Sequence, residues 1–178
     1  EGDDHPVVSV NSLDADAFCK WLSKKEGRSY RLPSWREWGW AVGTGPLEQE
    51  GATVAEMKAK VAGIYPWGRG WPPPKGAGNM GDEALKARQP TARIIEGYQD
   101  GYATTAPVMS FQPNEVGIYD LCGNVYEWCG DLSSKPDFRL VRSSHWRGFT
   151  PDVPLVSSNP GDVGQPRMLR WPDLGFRV

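Results

Sequence analysis

The sequence holds only two histidines and three cysteines in 178 residues. So small a supply leaves little room for a His-rich or Cys-rich metal centre. No apolar run approaches the ~20 residues that a bilayer-spanning helix needs. There is no excess of positive charge: 20 Lys and Arg stand against 22 Asp and Glu, giving a net charge of -2 and a pI of 5.7. Without a net positive field for phosphates, nucleic acid is not the expected partner. The opening residues, Glu1-Gly2-Asp3-Asp4-His5-Pro6, are acidic and polar and do not read as a signal peptide. A mean hydropathy of -0.54 reads as a soluble protein.

What the chain does have is 21 glycines, 16 prolines and nine tryptophans. Gly and Pro near a quarter of a chain would suggest disorder. Here 11% of the residues are aromatic, which disordered segments lack. The composition reads as one loop-rich globular domain, residues 1–178, held by large aromatic anchors. No linker or internal repeat divides it. Three cysteines cannot all pair. Cys122 and Cys129 flank a compact segment in which a disulfide is conceivable; three buried thiols is the simpler reading.

Local patterns place the elements. Leu13, Ala17, Phe18, Trp21 and Leu22 recur at helical spacing, which predicts a helix over Asn11–Lys25 with this stripe inward. Asn11 or Ser12 caps its start and Gly27 its end. Pro6–Val10 reads as a short strand. Ser34 and Glu37 have capping-box spacing and open a second helix. Thr53–Val61 reads as a further short helix. Pro72-Pro73-Pro74 opens a loop-rich stretch that runs to Pro107. Loops so long in a compact domain are functional or pinned by something. Strands are expected at Asn124–Cys129, Phe138–Trp146 and Leu174–Val178.

Several segments together resemble the formylglycine-generating-enzyme (sulfatase-modifying-factor) family. They are His5–Val10, Asp14–Leu22, Tyr30–Trp38, Tyr65-Pro66-Trp67-Gly68, Gly78-Asn79, Asp100-Gly101-Tyr102, Thr105–Val108, Pro113–Trp128 and the closing Gly175-Phe176-Arg177. The resemblance implies an α+β, C-type-lectin-like fold with two helices, short twisted antiparallel strands and much irregular loop. It also implies that some N-terminal strands of the family are missing. Trp38, Trp67 and Trp128, embedded in matching segments, are expected to be buried.

Two calcium sites follow from the same resemblance. One takes the side chains of Asn79 and Asp100 with the carbonyls of Met80 and Tyr102. The other takes Asp120 and Glu127 with the carbonyls of Gly123 and Val125. Oxygen donors suit a hard cation; the alternative is that these carboxylates only cap turns.

The family's enzymes oxidise a substrate cysteine with two cysteines of their own. Counting on from Arg142-Ser143-Ser144-His145-Trp146, those positions fall near Gly148 and Val153. Neither is a thiol, and Cys19, Cys122 and Cys129 lie in other segments, so no copper is expected. Iron held by three histidines, as in ergothioneine-synthesis relatives, is excluded because only His5 and His145 exist. A triad of Ser143, His145 and Asp152 lacks a nucleophile elbow.

The tail, Arg139–Val178, keeps a frame of Arg142, Trp146, Pro166 and Leu174–Val178 around unfamiliar contents. That pattern resembles the variable proteins of diversity-generating retroelements, whose C-terminal segment is mutagenised at adenines, mostly in Asn codons. Most types from Ser143 to Val163 fit such codons; Gln165, Met168 and Trp171 do not. The resemblance implies a non-catalytic protein with a variable ligand-binding region over 139–178, displayed at a cell or virion surface toward a protein or other surface ligand. The face would be Ser143, His145, Arg147, Phe149, Val153, Leu155, Val163, Arg167, Leu169 and Trp171. Arg and aromatic side chains are favoured anchors of binding hot spots. The alternatives are a catalytically dead accessory domain and, more remotely, an active oxidase. With Gly148 and Val153 where thiols are required, incubation with copper and a sulfatase-motif peptide should yield no formylglycine by mass spectrometry; clear turnover would refute the non-catalytic reading.

Overall fold

The computed structural model describes residues 2–48, 54–133, 135–148 and 164–178. Helix α1 runs Ser12–Glu26. Asn11 Oδ1 accepts the amides of Leu13 and Asp14 at 3.0 Å, and the Asp14 carboxylate accepts the Asn11 amide at 2.9 Å. This capping box satisfies amides that have no partner within the helix. Gly27, at φ 66°, ends the helix in the left-handed region.

The inward face of α1 differs from the expected stripe. Ser12, Ala15 and Cys19 are buried, whereas Leu13, Ala17, Phe18 and Trp21 are exposed, Trp21 by 53%. The reason is the indole of Trp128, fully buried beneath the helix. Small side chains let α1 sit close over that ring, and the large ones turn outward.

Helix α2, Trp35–Ala41, starts at the expected Ser34/Glu37 capping box, and Arg31 clasps Glu37 at 2.6 and 2.7 Å. A 3-10 turn at Gly45–Leu47 leads to a buried Glu48. Helix α3 follows at Val54–Val61, then a small hairpin of β1 (Ile64–Tyr65) and β2 (Gly68–Arg69). The loop-rich stretch hides one more helix, α4 at Glu83–Arg88, capped by the Asp82 carboxylate on the amides of Ala84 and Leu85.

The main sheet has β3 (Tyr126–Leu132), β4 (Phe138–Arg142), β5 (Gly164–Pro166) and β6 (Leu174–Gly175), in the order β5-β4-β3-β6. The first three are antiparallel, but β6 runs parallel to β3. Pro6–Val10 is irregular rather than a strand. It is tied down from outside: Trp128 Nε1 donates to the Val10 carbonyl and the Ser9 amide to the Trp171 carbonyl.

Two cores result. Trp38, Tyr65, Met80, Ile95, Tyr98 and Leu121 pack in one; Ala15, Leu32, Trp128, Val141 and Leu174 in the other. Of the three expected anchors Trp38 and Trp128 are buried, and Trp67 is half-buried, stacked on Tyr65 at 4.8 Å. All three cysteines are free and buried. Burial pushes the Cys122 thiol up to about 12 and raises Cys129 as well. Among the described residues no helix is long and apolar enough to cross a membrane. Trp128→Ala should cost ~3–5 kcal/mol, whereas the exposed Trp21→Ala should cost under about 1 kcal/mol; urea unfolding of the two variants checks the inverted face of α1.

Candidate binding face and cation positions

Strand β4 delivers the tail into the interior. Arg142 is buried, with Nη2 2.9 Å from Glu48 Oε1 and Nη1 3.2 Å from Oε2. Its guanidinium lies 4.8 Å from the centre of the Trp38 ring. Ser143 then takes φ 71°, a conformation unusual outside glycine. Both serines are buried. Ser144 Oγ accepts the Gly123 amide at 2.8 Å, and Ser143 Oγ is enclosed without a partner. Ser143 therefore does not belong to an exposed face.

The next residues surround one carboxylate. Asp173 is buried, and its Oδ2 lies 3.0 Å from His145 Nδ1 and 2.8 Å from Arg147 Nη2. Burial pushes the Asp173 carboxyl up, but His145 and Arg147 outweigh it and hold the group below its usual range. The imidazole also leans on the Tyr126 ring at 4.6 Å, and Arg147 lies over Trp146 at 4.8 Å. So the partner of His145 is Asp173, and no hydrogen bond links Ser143 to it. Gly148 is tied at both ends: its amide donates to the His145 carbonyl and its carbonyl accepts from Gly81, both at 2.8 Å.

Phe149, Asp152, Val153, Leu155 and Val163 lie outside the described residues. Where description resumes, the Arg167 amide donates to the Asp137 carbonyl, and the Arg167 carbonyl accepts from the Ser12 amide and hydroxyl. Leu169 is half-buried against the Trp128 core, so it serves packing more than contact. Met168, Arg170 and Trp171 are exposed. The outward groups of the face are thus Arg147, Met168, Arg170 and Trp171, with His145 and Arg167 half-buried. Asp173, Tyr126, Met168 and Arg170 were missed in sequence. Only the run of Arg and aromatic residues near Trp171 could have signalled Arg170.

At the first expected cation position one donor oxygen lacks a partner. Asn79 is fully buried; its Nδ2 donates to Thr104 O at 2.8 Å and Asn124 Oδ1 at 3.0 Å, while its Oδ1 is enclosed with no partner. Asp100 accepts the amides of Met80 at 2.8 Å and Tyr102 at 2.9 Å. Burial, with the Asp82 carboxylate nearby, pushes Asp100 up to about 7. Asp82, not anticipated here, accepts the amides of Asp100 and Gly101. The orphaned Asn79 amide oxygen and the Asp100 carboxyl, short of positive charge, are donors of the kind a calcium ion takes; it would be held by Asn79, Asp100 and the carbonyls of Met80 and Tyr102.

At the second position one carboxylate is already taken by an arginine. Both Glu127 oxygens lie 2.5 Å from Arg177 nitrogens, and Oε2 also accepts Trp38 Nε1 at 3.0 Å. Arg177 further donates to the carbonyls of Tyr119 and Asp120. A guanidinium already supplies the positive charge there. Asp120 Oδ2 accepts the Met109 amide at 2.8 Å while its Oδ1 is enclosed with no partner, and Val125 and Gly123 are buried. Gly123 is also sterically fixed: a Cβ there would meet the Asn79 carbonyl oxygen at 2.1 Å. Among the described residues no three His, Cys, Asp or Glu side chains converge as metal ligands. Any ion there would therefore take amide and carbonyl oxygens beside one or two carboxylates.

Residues 1–178 match the sulfatase-modifying factor enzyme 1-like domain. The chain belongs to that family. A formylglycine-generating enzyme from Thermomonospora curvata is 36% identical over 127 residues, covering 71% of this chain and 33% of the relative. The inactive C-alpha-formylglycine-generating enzyme 2 of Bos taurus is 32% identical over 185 residues, covering 97% of this chain and 49% of the relative. The family thus includes enzymes and an inactive member, and this chain spans a third to a half of those two relatives' length. Among solved structures, Treponema denticola variable protein 1 superposes with a TM-score of 0.54 at 21% identity, over 97% of this chain and 70% of that one. The α+β fold expected from the sequence is the fold observed, but with four α-helices among the described residues where the resemblance implied two and with one parallel strand pair.

Asp173→Asn should cost on the order of 1–3 kcal/mol near neutral pH, as expected for hydrogen bonds to a charged group. Because folding depresses this carboxyl, the stabilisation is present above the unfolded pKa and is lost as pH falls through the folded one. The gap between variant and parent in urea unfolding should therefore close below about pH 4. A cost independent of pH would show that charge is not what Asp173 contributes.

Proposed function

We propose that this chain is a non-catalytic ligand-binding protein, a variable protein of the retroelement type whose C-terminal segment presents a changeable face on a lectin-like scaffold. The observation that carries the reading is a contrast within one segment. Arg142, Trp146 and Arg177 are held by buried contacts. Yet the two positions where the enzymes need thiols hold Gly148 and Val153. The frame has been kept while the chemistry has gone. The likeness to a variable protein supports the fold alone, since fold does not fix function. The inactive relative supports loss of catalysis within the family.

In this reading Arg147, Met168, Arg170 and Trp171 contribute the described part of the contact surface. Cationic and aromatic groups side by side suit a protein surface or another surface ligand. Phe149, Val153, Leu155 and Val163 complete the face, and display at a cell or virion surface goes with it. Calcium at the Asn79–Asp100 position is structural.

A dead accessory domain is the second reading, favoured by Leu169, which packs into the core. Thermal scans separate the two. In a diversified face, Met168→Ser, Arg170→Ser, Trp171→Ser, Val153→Ser and Leu155→Ser should each change stability by within about 0.5 kcal/mol, while Leu169→Ala costs ~2 kcal/mol or more. Losses above about 2 kcal/mol at most of the first five would overturn the binding-face reading. A near-copy of the last codons beside a reverse-transcriptase gene would support it independently.

A further inference from the structure

We propose that calcium at the Asn79–Asp100 position sets the geometry of the binding face, so that the two are thermodynamically coupled. The inference rests on the calcium and binding readings above. Three consecutive residues, Asn79-Met80-Gly81, join the two places. Toward the ion position they offer the unpartnered Asn79 Oδ1, and the Met80 amide holds Asp100 Oδ2 at 2.8 Å. Toward the face, the Asn79 carbonyl accepts the Asn124 amide at 2.7 Å, and the Asn124 carbonyl accepts the Trp146 amide at 3.1 Å. Two residues on, the Gly81 amide donates to the Gly148 carbonyl at 2.8 Å.

The connection has no slack. Asn79, Met80, Asn124, Ser144 and Trp146 are all buried. Asn124 is further locked: its Oδ1 accepts from Asn79 Nδ2 and the Ala106 amide, and its Nδ2 donates to the Ala106 carbonyl. A Cβ on Gly81 would stand 3.2 Å from the Gly148 carbonyl oxygen and 3.5 Å from the Arg147 carbonyl carbon. A shift at Asn79 or Met80 has nowhere to dissipate before it reaches Trp146-Arg147-Gly148. Coupling is reciprocal, so a ligand that binds the ordered face tightens calcium by the same factor that calcium tightens the ligand.

The test uses calcium alone as probe. Chelator-treated protein is titrated calorimetrically, and amide hydrogen exchange is followed with and without calcium at Gly81, Asn124 and Trp146. The Gly130 amide, bonded to the Pro33 carbonyl far along the chain, is the control. Calcium should release heat and slow exchange at the three amides at least tenfold while leaving Gly130 unchanged. Asp100→Asn should abolish both effects. Gly81→Ala should keep the heat and the protection at Asn124 and Trp146 but lose it at its own amide, the one bonded to Gly148, which keeps the proposal testable if the Asp100 variant does not fold. Absence of heat at millimolar calcium overturns the calcium reading. Heat with unchanged exchange at the three amides overturns the coupling and leaves the calcium reading standing.

Discussion

Arg142 carries its guanidinium out of water and Arg177 is half-buried, and each is met by a buried carboxylate: Glu48 for the first, Glu127 for the second. Trp38 stands between them, its ring under Arg142 and its Nε1 on Glu127. Removing such charges from water costs several kcal/mol per ion, so the arrangement persists only because every group is paired. It holds together parts of the chain that share no ladder. Glu48 follows the 3-10 turn, Tyr119 and Asp120 belong to a loop, and Arg142 and Arg177 bracket the tail. A loop-rich chain thus acquires fixed points, and the segment between the two arginines is anchored at both ends.

That anchoring separates the tail into two populations. Ser143, Ser144, Trp146 and Leu174 face inward and are constrained by neighbours from distant sequence. Arg147, Met168, Arg170 and Trp171 face outward. The first group carries the fold, and changes in the second act mainly on whatever meets the surface. Asp173 belongs to neither cleanly, since it is buried yet engages His145 and Arg147 at the margin of the face.

Elements governed by neighbours in sequence were readable from the sequence. The caps at Asn11 and Ser34 marked the starts of α1 and α2 to within a residue, because a capping box is written in four consecutive positions. The aromatic stripe of α1 misled because helical spacing alone cannot tell which side meets Trp128, more than a hundred residues away. Helix α4 was hidden because Asp82 looks like a loop residue until its carboxylate is seen capping Ala84 and Leu85. The parallel pairing of β6 has no local signature. Within the site, Asn79 and Asp100 emerged through the family resemblance. Asp82, Asp173 and Glu48 did not, because their roles depend on partners brought close only by folding. Ser143 looked like a surface polar residue, and only its backbone turn explains its burial.

The three cysteines bear on how the molecule can be studied. Each is enclosed, and burial raises the thiol pKa of all three, Cys122 to about 12. Little thiolate forms near neutral pH, and the thiolate is the nucleophile. A single cysteine introduced at Met168 or Trp171 would therefore be the one group that an alkylating dye or cross-linker finds in the folded protein. The native sequence already provides the silent background for mapping what touches the tail, one position at a time.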